Sequence, residues 1–495
     1  MDLFTIDLDR PDGQPMYLRL ATGIMAAIER GELAAEEKLP SERELALRLG
    51  VSRTTVVGAY RELESRGQVG RGTFVSAVGI DGLGDGYRPL DAPFAWRGKV
   101  SLSSRRALDP TLRTLVRHTG PEVISLAGGV PALDRFPAAA YRRLMDRVLR
   151  EGGQEVLGLL LSEGVPKLRR AIAARSGARP EEILVTHGAQ QALDLISRCL
   201  LDPGDTVVMD RPGYVGALET FRAAGANPVG WCVERADPGE LEDLILRYKP
   251  KLLYTNPTFQ NPTGRTLPPA TREEVLRLAS RYRLPVIEDN AYSELHFRSP
   301  APDALYKLDR EGLVVRVDSF SKTLGAGLRL GWIAAPEDIV DQLSLIKAHT
   351  DLFTAGPSQL AVADMLFSGL YDAFLEDLRV EHRRRHEALV SALRRHVSPG
   401  TLSWRPAEGG LYLWCRVAPD IDTRDLVQRA ATLGVTFVTG EPFYGDGTGK
   451  HRLRLCFSSS SPGEIEEGVR RLAGVVVDER AGRTKTRHLG THPLV

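Results

Sequence analysis

The sequence predicts a multidomain chain: a small helical head closed by a hairpin, then a larger α/β body that ends in a smaller α+β portion. Three observations predict this. The chain has 495 residues, more than one hydrophobic core usually serves. Near its start, two short helical patterns with capping residues are separated by a one-glycine turn. From residue 119 onward, apolar strand-like runs alternate with amphipathic helical stretches, the pattern of a mostly parallel sheet covered by helices.

Apolar residues make up 42% and charged residues 26%, ordinary globular values. A net charge of +1 argues against a protein that coats nucleic acid or membrane through bulk charge, although a small, locally basic module remains compatible with it. The four cysteines, Cys199, Cys232, Cys415 and Cys456, form no CxxC pair. Free thiols in a reducing cytoplasm are therefore expected, with neither disulfides nor a metal site. The acidic start MDLFTIDLDR is unlike a signal peptide, and no apolar run is long enough to span a bilayer. A soluble, cytoplasmic chain is the expectation.

Within the head, residues 1–78, Tyr17, Leu20, Ala21, Ile24 and Ile28 recur at helical spacing, and Gly31 closes that segment. Ser41 and Glu44 then have the spacing of a capping box, which opens a second helix carrying Leu45, Ala46 and Leu49 inward. Gly50 ends it, and Ser52 caps a third helix that runs to about Arg66. The stretch GQVGRGTFVS reads as two short strands around a tight turn. Residues 1–79 hold ten basic and twelve acidic side chains, whereas 43–71 hold six arginines against three glutamates. One face can therefore be basic. Arg53, Thr54 and Thr55 open the third helix, where they would meet base edges and phosphates in a major groove. On pattern alone, a DNA reader and an ordinary solvated helical face both remain open.

The string LPSERELALRLGVSRTTVVGAYRELESRG closely resembles the GntR-type winged helix-turn-helix, over residues 12–77. The resemblance implies binding to a double-stranded DNA operator. It places Ser41, Arg43, Arg53, Thr54, Thr55 and Gly72 at positions that meet DNA. The wing is short and lacks the second glycine common in its turn.

Residues 79–118 are the expected linker, rich in glycine and proline through residue 98, and the polar tail 478–495 is expected to be disordered. The body, 119–477, contains five segments that suit a phosphorylated aldehyde cofactor. In SFSK, Lys322 follows a strand-like run and can form a Schiff base, while Ser319 and Arg329 can bind phosphate. In THGAQQA, a glycine turn opens a helix, so that the N–H groups of Ala189 and Gln190 form a phosphate cradle. Asp289 can hold a protonated pyridine nitrogen, Tyr292 and Asn261 can donate to a ring oxygen, and Tyr214 offers a stacking face. Arg454, in HRLRLCFS, can clamp a substrate carboxylate. Taken singly, each segment has an ordinary structural explanation; five in this order do not.

That order is similar to the fold-type-I aminotransferases, which implies pyridoxal 5'-phosphate as cofactor across roughly residues 120–475. Head, linker and body together resemble the MocR family, the aminotransferase-like branch of the GntR regulators. The resemblance implies a homodimeric transcription regulator that senses an amino acid or other amine effector through aldimine exchange at Lys322. One departure is Leu159, which stands about where relatives carry a tyrosine that reaches the partner's phosphate. Weaker cofactor binding is expected from it, by roughly a kcal/mol or two. Two other readings stay open: a working aminotransferase on α-amino acids with an incidental head, and a DNA-binding protein whose body no longer holds cofactor.

Overall fold

The structure, a computed structural model, describes residues 15–29, 33, 38–65, 69–70, 74–75, 101, 104, 123–153, 155–419 and 421–480. The predicted linker 79–118, apart from residues 101 and 104, lies outside the described residues, as do Arg71 and Gly72 of the wing turn and the tail beyond Arg480. The described residues fall into two units, 15–104 and 123–480. Among the described residues, no helix is long and apolar enough to cross a membrane.

In the head, α1 (Met16–Glu29), α2 (Glu42–Leu49) and α3 (Arg53–Ser65) are followed by β1 (Val69–Gly70) and β2 (Phe74–Val75), which pair antiparallel. Leu20, Ala21, Ile24, Leu45, Val56 and Leu63 are fully buried and form one core. The turn between α2 and α3 rests on Gly50, whose φ of +65° suits a residue without a Cβ. Ser52 Oγ accepts from Thr55 N at 3.1 Å, as a cap should. The capping box at α2 is only half made. Ser41 Oγ accepts from Glu44 N at 3.3 Å, but the Glu44 carboxylate accepts from Arg48 at 2.6 Å instead of returning the bond. An oppositely charged residue one turn away outcompetes a neutral backbone donor.

The second unit is built on seven strands: β4 (Ile183–Thr186), β5 (Thr206–Arg211), β6 (Asn227–Cys232), β7 (Leu252–Thr255), β8 (Val286–Asp289), β9 (Val314–Ser319) and β10 (Gly331–Ala334). Their order is β4-β10-β9-β8-β7-β5-β6. Strands β6, β5, β7, β8 and β9 run parallel, while β10 is antiparallel to both β9 and β4. The buried runs along β4, β7 and β8 leave no polar face, as expected of a sheet covered on both sides. The connections bring the carboxyl ends of β5, β7, β8 and β9 to one edge, where ligands bind in open α/β sheets.

The smaller portion holds an antiparallel sheet of β11 (Leu402–Trp404), β12 (Tyr412–Val417), β14 (Val438–Thr439) and β15 (Arg452–Cys456), and beside it β3 (Ile124–Ser125) pairs in parallel with β13 (Val435–Thr436). The long helix Leu370–His396 and the helix Pro462–Arg480 pack with this sheet around one core. Leu413 and Cys415 point into that core, so the alternate residues Tyr412 and Trp414 face the other way. Trp414 pairs with Arg454 across β12 and β15.

One buried cation ties the body together. Arg272, on the helix Pro269–Tyr282, is fully buried and donates to Leu267 O (3.0 Å), Pro257 O (2.9 Å), Thr258 Oγ1 (2.7 Å) and Asp303 O (3.1 Å). Glu288, also fully buried, lies 3.8 Å away and accepts from the backbone N–H groups of Leu305 and Tyr306. Removing the guanidinium leaves that carboxylate buried with two N–H donors but no counter-charge. Arg272→Ala should therefore lower the unfolding free energy by about 3–5 kcal/mol in chemical denaturation. A loss below about 1 kcal/mol, the size of an exposed pair, would contradict this assignment.

Candidate functional site

The stretch expected to cradle a phosphate begins where β4 ends. Gly188, with φ +83°, turns the chain into the helix Ala189–Leu200, so the N–H groups of Ala189 and Gln190 belong to its unpaired first turn. A Cβ on Gly188 would come within 3.5 Å of the Arg329 guanidinium, so the turn and the arginine share one small space. Arg329 Nη2 donates to His187 O at 2.7 Å, which holds it there. The side chain of Gln190 donates to Thr220 Oγ1 (2.7 Å) and accepts from Tyr214 OH (3.1 Å), which fixes the phenol beside the cradle. Ser319 is engaged within its own chain: its hydroxyl donates to Leu330 O at 3.2 Å and accepts from Ser321 N at 3.1 Å. A phosphate contact requires that hydroxyl to turn.

At the end of β8, Asp289 is buried and accepts from Tyr254 OH at 2.7 Å. Burial raises its carboxyl above the usual range, and the Tyr254 bond opposes that rise. A protonated pyridine nitrogen would give this carboxylate the partner its burial calls for. Tyr292 is buried, and its hydroxyl lies 3.3 Å from both Asn261 Nδ2 and Tyr412 OH. Burial, followed by the neighbouring Tyr412, pushes the Tyr292 phenol well upward, so it remains a hydrogen-bond donor. Lys322 Nζ donates to Gly129 O at 2.8 Å and lies 5.9 Å from the Tyr292 ring centre.

Arg454 closes the far side. It is 6% exposed, with Nη1 donating to Asn261 Oδ1 (2.9 Å) and Nη2 to Ala127 O (3.0 Å). Its guanidinium lies over the Tyr412 ring at 4.1 Å, and its buried Nε has no acceptor. Among the described residues, no carboxylate pairs with it. A buried cation without a counter-charge suits an incoming carboxylate. The donor set as a whole fits a phosphorylated pyridine aldehyde bound to an amino acid.

Lys322, Asp289, Tyr292, Asn261 and Arg454 are thus linked through a few shared neighbours, with Ala189, Gln190, Tyr214 and Arg329 forming a second linked group at the cradle. Several participants escaped the sequence reading. Tyr254, in KLLYTN, could have been noticed as a polar group ending a buried strand. Tyr412 stands within the PAEGGLYLW string without a role assigned to it. Gly129 left no signal, because its carbonyl reaches Lys322 across 193 positions. Leu159, the departure from relatives, is 86% exposed.

In the head, Arg43, Arg53 and Thr54 are exposed on α2 and α3. Arg53 is held by Glu42 through a bond of 2.8 Å. The hydroxyls of Ser41 and Thr55 already serve in or beside the caps.

Below the site, Asp210 accepts from Asn256 N at 2.8 Å, and its carboxyl is pushed up to about 7, chiefly by burial. The folded chain therefore keeps a proton that the unfolded chain has released between pH about 4 and about 7, so stability falls as pH rises through that window. Asp210→Asn removes this loss. In cofactor-free protein, the melting temperature of the variant relative to the parent should climb from pH about 4 to 7 and level off above. A difference that stays constant across that window would overturn the reading.

Two family models match the chain: "Bacterial regulatory proteins, gntR family" over residues 16–75, and "Aminotransferase class I and II" over residues 121–472. A 2-aminoadipate transaminase of Thermus thermophilus is 36% identical over 388 residues, covering 77% of this chain and 97% of that protein. The probable rhizopine catabolism regulatory protein MocR of Rhizobium meliloti is 31% identical over 483 residues, covering 94% of each. The crystal structure of LysN, an alpha-aminoadipate aminotransferase from Thermus thermophilus, matches with a TM-score of 0.75 at 34% identity, covering 78% of this chain and 100% of that one. With a DNA-binding head and an aminotransferase body matched in one chain, and a relative of the same organisation matched from end to end, the protein belongs to the MocR-type regulators of the GntR family.

Proposed function

We propose that this regulator holds pyridoxal 5'-phosphate at Lys322 and changes its affinity for operator DNA when an amino acid or related amine enters the site. The observation that carries this reading is Arg454, a buried guanidinium with no protein carboxylate beside it, linked through Asn261 to the Tyr292 hydroxyl. When bound, the cofactor supplies an aldehyde that an amine can occupy and a ring that draws electrons. Ala189, Gln190 and Arg329 would hold its phosphate, with Ser319 joining once its hydroxyl turns. Asp289 would hold the ring nitrogen, Tyr214 would cover a face, and Tyr292 with Asn261 would fix the ring oxygen. Lys322 Nζ and the effector's amine would compete for the same carbon, while Arg454 takes the effector's carboxylate.

For DNA, Arg43, Arg53, Thr54, Thr55 and Ser41 are the proposed contacts. Gly72 is proposed from the sequence resemblance alone. We take the working form to be a homodimer. Its support is the cluster of leucines exposed at Leu157, Leu159 and Leu161, an apolar surface of the kind that partners cover. Two identical heads would read two half-sites a whole number of helical turns apart.

A second reading, a working aminotransferase on α-amino acids, draws support from the transaminase relative and the same site. Steady amino transfer to a keto acid at ordinary enzyme rates would favour it.

The test is a set of operator titrations with the parent protein, Lys322→Ala and Arg454→Ala, each with and without candidate amino acids. The parent should change its DNA affinity by about 5- to 150-fold, the range of typical allosteric coupling. Lys322→Ala should still bind DNA but lose the effector response, and Arg454→Ala should need far more effector. A full response in Lys322→Ala would sink the proposed switch. Borohydride reduction followed by peptide mapping should place the cofactor on Lys322, and attachment to another lysine would refute the site.

A further inference from the structure

A second cavity lies behind the cofactor site, between the two portions of the body. Its walls are the turn after β6, the stretch from Thr263 to Thr271, and the side of the small sheet formed by β11, β12 and β15. Its volume of about 430 Å³ is of the size that takes a small metabolite. None of the roles assigned to the cofactor site uses it.

The lining is strongly cationic. Five arginines line it, Arg235, Arg265, Arg405, Arg416 and Arg452, against two carboxylates, Glu234 and Glu408. Glu234 is already engaged: its carbonyl accepts from Arg265 and its carboxylate from Arg452, the latter at 3.3 Å. Arg235 pairs with Glu240 at 2.9 Å. Among the described residues, Arg405 and Arg416 have no ion pair. The second, independent observation is Trp414. It lines the cavity, is only 7% exposed, and its buried indole N–H has no acceptor among the described residues. Buried donors are nearly always satisfied, so an orphan beside unpaired arginines points to an acceptor that comes from outside. Trp404 adds a half-buried aromatic face to the same wall.

We infer that this cavity is a second small-molecule site, which takes a compound carrying two or more carboxylate or phosphate groups. Its occupant would lie against residues that neighbour the carboxylate clamp. Trp414 stands opposite Arg454 in the strand pairing, and Thr263 is bonded to Gln260, next to Asn261. The inference concerns binding alone and does not rest on the proposed switch at Lys322.

The test uses the full chain saturated with pyridoxal 5'-phosphate, so that the phosphate cradle is already filled. Citrate and inorganic pyrophosphate, titrated separately in a calorimeter, represent the carboxylate and phosphate sources. At least one should bind saturably with one site per chain. Arg405→Glu combined with Arg416→Glu, both exposed and outside the cofactor machinery, should weaken that binding by roughly tenfold or more. Trp414→Phe should weaken it too, whereas Arg454→Ala should leave it in place. The site is refuted if neither probe binds saturably. It is equally refuted if binding survives the double reversal, or disappears in Arg454→Ala, which would put the anion at the substrate clamp.

Discussion

The body depends on a cation that never meets water. Arg272 spends its donors on three carbonyls and a hydroxyl, most of them along the stretch 257–268 that carries Asn261. Its counter-charge, Glu288, sits on β8 beside Asp289, and its own lone pairs are filled by the N–H groups of residues 305 and 306. Burying such a pair is costly, and packed apolar side chains could fill the same volume at no loss of stability. What apolar residues cannot do is fix the position of backbone carbonyls in an irregular segment. The pair positions two site segments relative to each other, those that carry Asn261 and Asp289.

Around that anchor, the site is a product of strand ends. Asp289 ends β8, Lys322 follows β9 and Tyr214 follows β5, while the turn after β4 provides the cradle. In a parallel sheet these ends gather on one edge without any single contact specifying it. The small portion contributes the remaining wall through the alternation of one strand: Leu413 and Cys415 face its core, so Tyr412 faces Tyr292 and Arg454 instead. The phenols beside Asp289 and Asn261, Tyr254 and Tyr292, are pushed upward by burial and remain protonated, so the site offers donors rather than a second negative charge.

Much of this was legible in the sequence because each site segment is local. A strand-like run followed by a glycine turn and a helix declares itself within a dozen residues, and so do SFSK or a caps-and-glycine pair of helices. The illegible parts are those where chemistry crosses the chain. The Gly129 carbonyl at Lys322 and the Ala127 carbonyl at Arg454 lie 193 and 327 positions from their partners. The reversed direction of β10 was hidden for another reason: a short buried run such as GWIA has the same pattern whichever way it points. Glu44 shows local reasoning failing on its own ground, because two neighbours competed for it and the charged one prevailed.

The latch between Arg53 and Glu42 has a consequence for selectivity. An arginine at the front of a reading helix would bind any phosphate if it were free. Here it must first leave a carboxylate, and the exposed pair costs little to break. At the proposed DNA face, Glu42 would then remain as an uncompensated negative charge toward a polyanion. Loose, non-specific encounters gain one contact and incur one repulsion, so they are held weakly. Only a groove that gives the guanidinium two acceptors on a base edge repays the exchange. If Arg53 does meet DNA, as proposed, Glu42 would lower affinity for DNA in general and thereby widen the gap between the operator and every other sequence.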